Sequence, residues 1–172
     1  KKTDYRTVQM FFDFSDIELK YDNNWPPLSA LDGLVFIDDK NVDMVASVAK
    51  LYSSQLENIR VSVWPEPTQG FVLSAAANIY GTAEDSLRFL YNSPLKGKLG
   101  QSFAEWELSG QLKTSLDLEI SLSRQAQTMV NLSSLWQKVD IDMKSSGLKV
   151  EAVSGVLNYN TNHGFSSEGM SG

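Results

Sequence analysis

Few residues in this chain are of a kind that does chemistry, and their spacing limits what they could do. His163 is the single histidine and stands in "NTNHG", an Asn- and Gly-rich turn. That leaves no basis for imidazole acid–base work or a multi-histidine metal site. With no cysteine there is no thiolate nucleophile, no thiolate metal site and no disulfide framework. Asp38, Asp39 and Asp43 come nearest to a hard-cation cluster. Their context, "IDDKNVD", reads instead as a solvated turn between two apolar runs. Glu66 in "WPEPTQG" and the pair Asp140 and Asp142 fall at outward positions of turns and strands. Asn131-Leu132-Ser133 has the form of a glycosylation sequon but lies inside an alternating segment. No G-x-S-x-G, P-loop or G-x-G-x-x-G string occurs. The expectation is no enzyme, no metal and no cofactor.

Bulk properties narrow the class further. The 172 residues, 42% hydrophobic, contain no apolar run near the ~18 residues a membrane helix needs. A net charge of -6 with Lys and Arg scattered singly argues against nucleic acid as a partner. The opening "KKTDYRTVQMFF" has no signal-peptide core and runs at once into strand-like residues. The closing "HGFSSEGMSG" stops as another alternation begins, so the expectation is an excerpt from a longer chain.

Period-2 patterning dominates what lies between. In "WELSGQLKTSLDLEISL" (106–122) the apolar residues share one parity and Glu, Ser, Gln, Lys and Asp fill the other. At ~3.4 Å per residue this stretch would reach nearly 60 Å, with a bend expected at Gly110. Shorter strands are expected at 8–14, 17–21, 31–37, 42–51, 59–64, 71–80, 128–132, 139–143 and 153–159. Turn strings such as "DDKN", "PEPTQG" and "KSSG" separate them, and such short connections favour an antiparallel meander. The exception is "TAEDSLRFLYNSPL", which predicts one helix near 83–92. Thr82 serves as its N-cap, Asp85 stands at the capping-box position, and Leu87, Leu90 and Tyr91 share a face.

A long-range repeat underlies the pattern. "IELKYDNNWPPLSALDGLV" lies on "VDIDMKSSGLKVEAVSGVL" without a gap, at a constant offset of 122 that sets Ile17 on Val139, Leu31 on Val153 and Gly33 on Gly155. In both copies the apolar parity slips by one before the glycine, which is what a β-bulge does. The chain is therefore divided into a first unit, 1–122, containing the helix, and the start of a related unit, 123–172.

Alternation by itself admits two architectures. One is a closed sandwich or barrel, its dry faces packed together. The other is a sheet curled into an open trough whose apolar face is covered by a ligand. One helix of ~15 Å cannot cover strands several times longer, and repeated bulges build curvature rather than a small closed barrel. The fold class expected is thus mainly β: a long, twisted antiparallel meander curled into an open groove, with one short helix inserted. A large uncovered apolar surface marks a lipid or protein site. The residues assigned inward, as lipid-binding, are Met10, Phe12, Ile17, Leu19, Val35, Ile37, Val61, Val63, Leu73, Leu112, Leu116, Leu118, Ile120, Ile141 and Leu157. Which parity faces the trough stays open, above all in 8–14 and 71–80, where both faces carry apolar residues. A ligand-free structural or protein-binding module, with a dry sandwich core, is the alternative.

The run "LKYDNNWPPLSALDGLVFIDDKNVDM", then "GTAEDSLRFLYNSPL", then "LSGQLKTSLDLEISL" resembles the AsmA-like proteins of Gram-negative envelopes, and most closely their very large YhdP-type members. The resemblance implies a bridge-like lipid-transfer rod of repeating β-groove units, held to the inner membrane by one N-terminal helix. It implies a periplasmic location, phospholipid acyl chains and neighbouring groove units as partners, and passage of phospholipid between inner and outer membrane. It implies no point-like active site, and a helix after Gly81 that caps or flanks the groove.

Overall fold

Stretches of alternation become strands, and several breaks in the alternation become bulges inside a strand rather than turns between strands. In the computed structural model, which describes residues 7–20, 23–68, 70–99, 103, 105–122 and 128–172, the elements run β1 (Gln9–Leu19), β2 (Leu28–Asp38), β3 (Asn41–Leu51), β4 (Ser54–Glu66), β5 (Gly70–Thr82), α1 (Ala83–Tyr91), α2 (Lys96–Leu99), β6 (Trp106–Ser121), β7 (Thr128–Met143), β8 (Leu148–Asn160) and β9 (Gly164–Ser171). All nine strands belong to one antiparallel sheet in sequence order, an uninterrupted meander. β1 and β9 are its two edges, so the sheet is open. At ~4.8 Å per strand it extends roughly 38 Å across the strands. No described helix is long and apolar enough to cross a membrane.

The bulges correct the strand boundaries expected from sequence. The segments 8–14 and 17–21 form a single strand, with Tyr21 outside the described residues. In it the inward parity passes from Phe14 to Ile17 across Asp16, whose φ is +51°. Likewise 128–132 and 139–143 are the two ends of β7, joined across Lys138 (φ +52°). β4 begins at Ser54 instead of 59, because Asn58 (φ +54°) breaks the alternation between Leu56 and Ile59. A left-handed non-glycine residue costs about 1–2 kcal/mol, so bulges of this kind need support. Side chains supply it: Asp32 Oδ1 accepts from the Asp16 amide (2.7 Å) and from Ser15 Oγ (2.9 Å). Asp140 Oδ1 accepts from the Ala152 amide (2.8 Å), and Ser154 Oγ from the Lys138 amide (3.1 Å). The Asp16 amide first, then the Ser15 hydroxyl, hold the Asp32 carboxyl below its ordinary range.

Hairpins β1–β2 and β7–β8 share one register at the offset of 122. Phe14 opposes Gly33 as Trp136 opposes Gly155, Ile17 opposes Leu31 as Val139 opposes Val153, and Leu19 opposes Leu28 as Ile141 opposes Val150. The left-handed residues coincide too: Asp16 with Lys138, Ala30 with Ala152. Both glycines are pressed by the next strand. A Cβ on Gly33 would lie 2.4 Å from Val45 O, and one on Gly155, at φ +143°, would lie 2.8 Å from Met170 Cα. The glycine in each copy therefore permits close approach of a neighbouring backbone at the crease.

Candidate functional site

Directly opposed residues of an antiparallel pair project from the same face, so the register traces rows of side chains across the sheet. One row runs Met10–Ile37–Val42–Val63–Leu73–Ile120 and ends on Thr128. The next runs Phe12–Val35–Met44–Val61–Ala75–Leu118–Val130. A third joins Ala77, Leu116, Leu132 and Tyr159. None of these positions is charged. The intervening residues, on the other face, include Asp43, Ser62, Ser74, Glu119, Arg60, Asp117 and Asn131. Among the described residues each strand packs in number only on its sheet neighbours and on α1, so no second layer of described strands covers the apolar face.

What does lie on that face is α1, at one end of the strands. Thr82 caps it, its Oγ1 accepting from the Asp85 amide at 3.1 Å. Ala83 and Leu87 join a cluster with Leu108, Leu112, Trp136, Val139, Ile141 and Val153 from β6, β7 and β8. Phe89 joins a second cluster built on Leu31, Ala49, Leu51, Leu56 and Ile59 from β2, β3 and β4. The helix therefore straddles the two halves of the sheet. Trp25, from the "NNWPP" turn, meets Phe89 with ring centroids 5.7 Å apart, so that turn is stiff and aromatic in order to hold the helix. Where the hairpin side of the helix meets the β3–β4 turn, polar groups fasten it. Asp85 Oδ2 accepts from Ser53 N (2.9 Å), Ser53 Oγ (2.6 Å) and Ser54 Oγ (2.8 Å), and the Arg88 guanidinium lies 3.9 Å over the Tyr52 ring. Instead of closing a capping box on Thr82, the Asp85 carboxylate reaches across to the sheet.

Burial pushes the Asp85 carboxyl upward, but the bonds from Ser53 and Ser54 and the charge of Arg88 outweigh it and hold the group below its ordinary 3.8. A depressed folded value means stabilisation that is full above the ordinary carboxylate range and is lost as pH falls through the lowered value. Asp85→Asn should loosen α1 by about 1–3 kcal/mol, the worth of hydrogen bonds to a charged group. Amide exchange would check it: residues 83–91 and Ser53 lose protection, the strands keep theirs, and the acid-induced loosening of the wild-type helix is absent from the variant.

The residues assigned inward from sequence all fall on this one face, in two environments. Met10, Ile37, Val63, Leu73 and Ile120 stand in the first row, Phe12, Val35, Val61 and Leu118 in the second, and Leu116 in the third, with Val61 also packed against the second cluster. Leu112 and Ile141 are instead covered by protein, buried in the cluster that α1 completes, against which Leu157 also packs. Ile17 and Leu19 pack on the second cluster. Val42, Met44, Ala75, Ala77, Val130 and Leu132 belong to the same rows and were not singled out from sequence; of these Val130 is buried, and Met44 and Ala77 pack against the second cluster. Ala75 and Ala77 sit in a segment with apolar residues on both faces, whereas Val42 and Met44 carried the same alternation as their neighbours. Asp38 and Asp39, at the β2–β3 turn, and Asp43 of β3 are engaged within the protein. Asp39 Oδ1 accepts from the Val8 amide, Asp38 Oδ1 from Gln9 Nε2, and Asp43 Oδ1 from Ser62 Oγ. Among the described residues no group of His, Cys, Asp or Glu is placed to hold a metal ion.

The outer face has apolar regions of its own: Tyr80, Leu135 and Val156 share one row with Lys113, and Tyr80 and Leu135 are exposed. Phe11 opposes Phe36, and Leu34 opposes Val45, all four exposed.

No curated protein and no solved structure matches the chain. A family model described as YhdP protein matches residues 1–172. A match over the whole length, to a chain whose open nine-stranded sheet has one continuous apolar face, places this protein in the YhdP family, and with it in an envelope-related role.

Proposed function

We propose that this chain is a length of lipid-conducting trough. The observation that carries the reading is the pair of uncharged apolar rows that cross the sheet strand by strand with, among the described residues, no facing layer of strands over them. Water on such a surface is costly, at about 25 cal/mol per Å² of apolar area, and acyl chains relieve that cost without specific partners. The rows run across the strands, so a guest can slide from one strand to the next and meet the same chemistry at each step. Here the protein acts by solvation, with no catalytic group and no cofactor. In the family setting, the trough is a segment of a periplasmic bridge, anchored in the inner membrane, that passes phospholipid between inner and outer membranes. Residues 1–122 form one groove unit and 123–172 open the next.

A photocrosslinking amino acid at Leu118 should capture lipid from an envelope extract, whereas the same group at Asp117 should not. Diacyl lipid should also be released from the purified chain and identified by mass spectrometry. Equal capture at both positions, or a chain free of lipid, would overturn the reading. The second reading, a protein-binding module, draws on the outward group Phe11, Leu34, Phe36 and Val45. It predicts crosslinks to protein from Phe11 and none to lipid from Leu118.

A further inference from the structure

One polar set interrupts the dry face. In β6, Thr114 is the single polar side chain of the inward parity between Leu108 and Ile120; in β7, Ser134 is the single one between Val130 and Trp136. The register sets the two opposite each other, in a row that runs Leu56–Ile79–Thr114–Ser134–Leu157. Both residues are buried, and their hydroxyl oxygens lie 2.9 Å apart in a shared hydrogen bond. That bond uses one of the two hydroxyl protons, and the other has no acceptor among the described residues. Trp136, the next inward residue of β7, is 6% exposed, and its Nε1 is the one buried side-chain nitrogen or oxygen without a partner among the described residues. Spare donors are thus left at neighbouring positions of the apolar face, where a donor with no acceptor is destabilising. The repeat does not demand them. At the offset of 122 the first hairpin has Phe12 in place of Ser134 and Phe14 in place of Trp136. The set stands where the covered floor ends: Leu112 and Trp136 belong to the cluster that α1 completes, whereas Ile79, Leu116 and Leu157, around the hydroxyl pair, are half-buried.

We infer that Thr114, Ser134 and Trp136 form a polar post that receives the ester carbonyl of an acyl lipid, at the margin between covered and open floor. The guest must bring an acceptor, because every spare group at the post is a donor. The acceptor must also be uncharged. The adjoining rows, Gly81–Leu112–Trp136–Gly155 and Ala77–Leu116–Leu132–Tyr159, hold no cation, so a phosphate or carboxylate buried there would go unpaired. An ester carbonyl is a neutral acceptor with two lone pairs. Its chain then lies on the rows of Leu116 and Leu118. Contact with hydrocarbon alone is the same at every step along the trough, whereas the post gives the lipid one preferred resting place. The inference rests on the trough reading and adds which lipids the trough prefers: acyl esters over chains of equal length that have no carbonyl.

The probe is an equimolar mixture of a diacyl phosphatidylethanolamine and its dialkyl ether analogue, which has the same headgroup and chain length and lacks both carbonyls. The full chain, loaded from this mixture and repurified, should retain the ester lipid about tenfold over the ether lipid, the worth of one or two hydrogen bonds. Trp136→Phe keeps an aromatic ring, removes the N–H and should erase that preference. Thr114→Val combined with Ser134→Ala should do the same, and decides the matter if Trp136→Phe disturbs the cluster. Asp117→Asn, on the opposite face, should keep the preference. In the wild-type chain one tryptophan indole N–H resonance should move with the ester lipid bound and stay in place with the ether lipid. Equal retention of the two lipids, the result if a water molecule satisfies the donors, would overturn the inference and leave the trough intact. A preference that survives both variants would do so too. Retention of neither lipid would remove the trough reading itself, and this inference with it.

Discussion

Leu116→Asp should strip the trough of lipid while leaving the sheet folded. Leu116 is half-buried between Ala77 and Leu132, four residues along β6 from Leu112, and belongs to neither buried cluster. A carboxylate there has access to water in the empty protein, so folding tolerates it. With a guest present, it forfeits contact with two or three methylenes, about 2 kcal/mol at ~0.8 kcal/mol each. That corresponds to roughly 30-fold weaker binding, before the added cost of a charge beside an acyl chain. Lipid retained after purification, together with the thermal transition, gives the two readouts. Asp117→Asn, on the opposite face, should change neither. Leu112→Asp should behave differently, because Leu112 is buried beneath α1. An unpaired charge in that cluster costs about 3–5 kcal/mol, and the transition itself should fall. Persistence of lipid in a folded Leu116→Asp protein would remove the open rows as the conduit.

Gly33→Val should be the most damaging single change in the first hairpin, and clearly worse than Gly155→Val. Both glycines occupy the same place in the repeat, so any difference comes from their neighbours. The added Cβ at Gly33 would meet Val45 O at 2.4 Å and Ala46 Cα at 2.9 Å. β3 cannot retreat, since β4 holds it on its far side and Ala46 belongs to the buried cluster. Overpacking of that kind costs about 3 kcal/mol or more. At Gly155 the clash is with Met170 Cα and Gly169 O of β9, a short edge strand free to peel away. Denaturant unfolding should show a large loss of global stability for Gly33→Val. For Gly155→Val, amide exchange should show fraying confined to β9, with strain at its φ of +143° adding a smaller penalty. Equal global effects would mean that the neighbouring strand does not set the cost.

Much of this was legible in the order of residues. Alternation depends only on the two-residue period of a strand, so the inward set could be read without knowing what packs on it, and the register later brought those residues onto one face. The repeat was legible for a related reason. A bulge must shift parity and a close crossing must exclude a side chain, so "LSALDG" and "VEAVSG" carry the same geometric instruction. The helix was legible from Thr82 and the spacing of Leu87 and Leu90.

The places where the reading failed share a cause. Asp16, Asn58 and Lys138 are ordinary polar residues. Nothing local says that they adopt left-handed conformations within a strand instead of ending one, because the amides they turn are satisfied by partners such as Asp32 and Ser154, sixteen residues away. The strand boundaries expected at 14, 59 and 132 were therefore misplaced. The division of the apolar face is also tertiary. Leu112 and Leu116 are the same residue type at the same parity, and only the docking of α1, drawn down by Asp85 onto the β3–β4 turn, buries one and leaves the other in the open floor. Sequence determined that the chain makes long one-sided strands with a recurring crease, since those are properties of neighbours along the backbone. The tertiary structure decided which part of the dry face the protein covers for itself and which it leaves open, since that depends on contacts between residues distant along the chain.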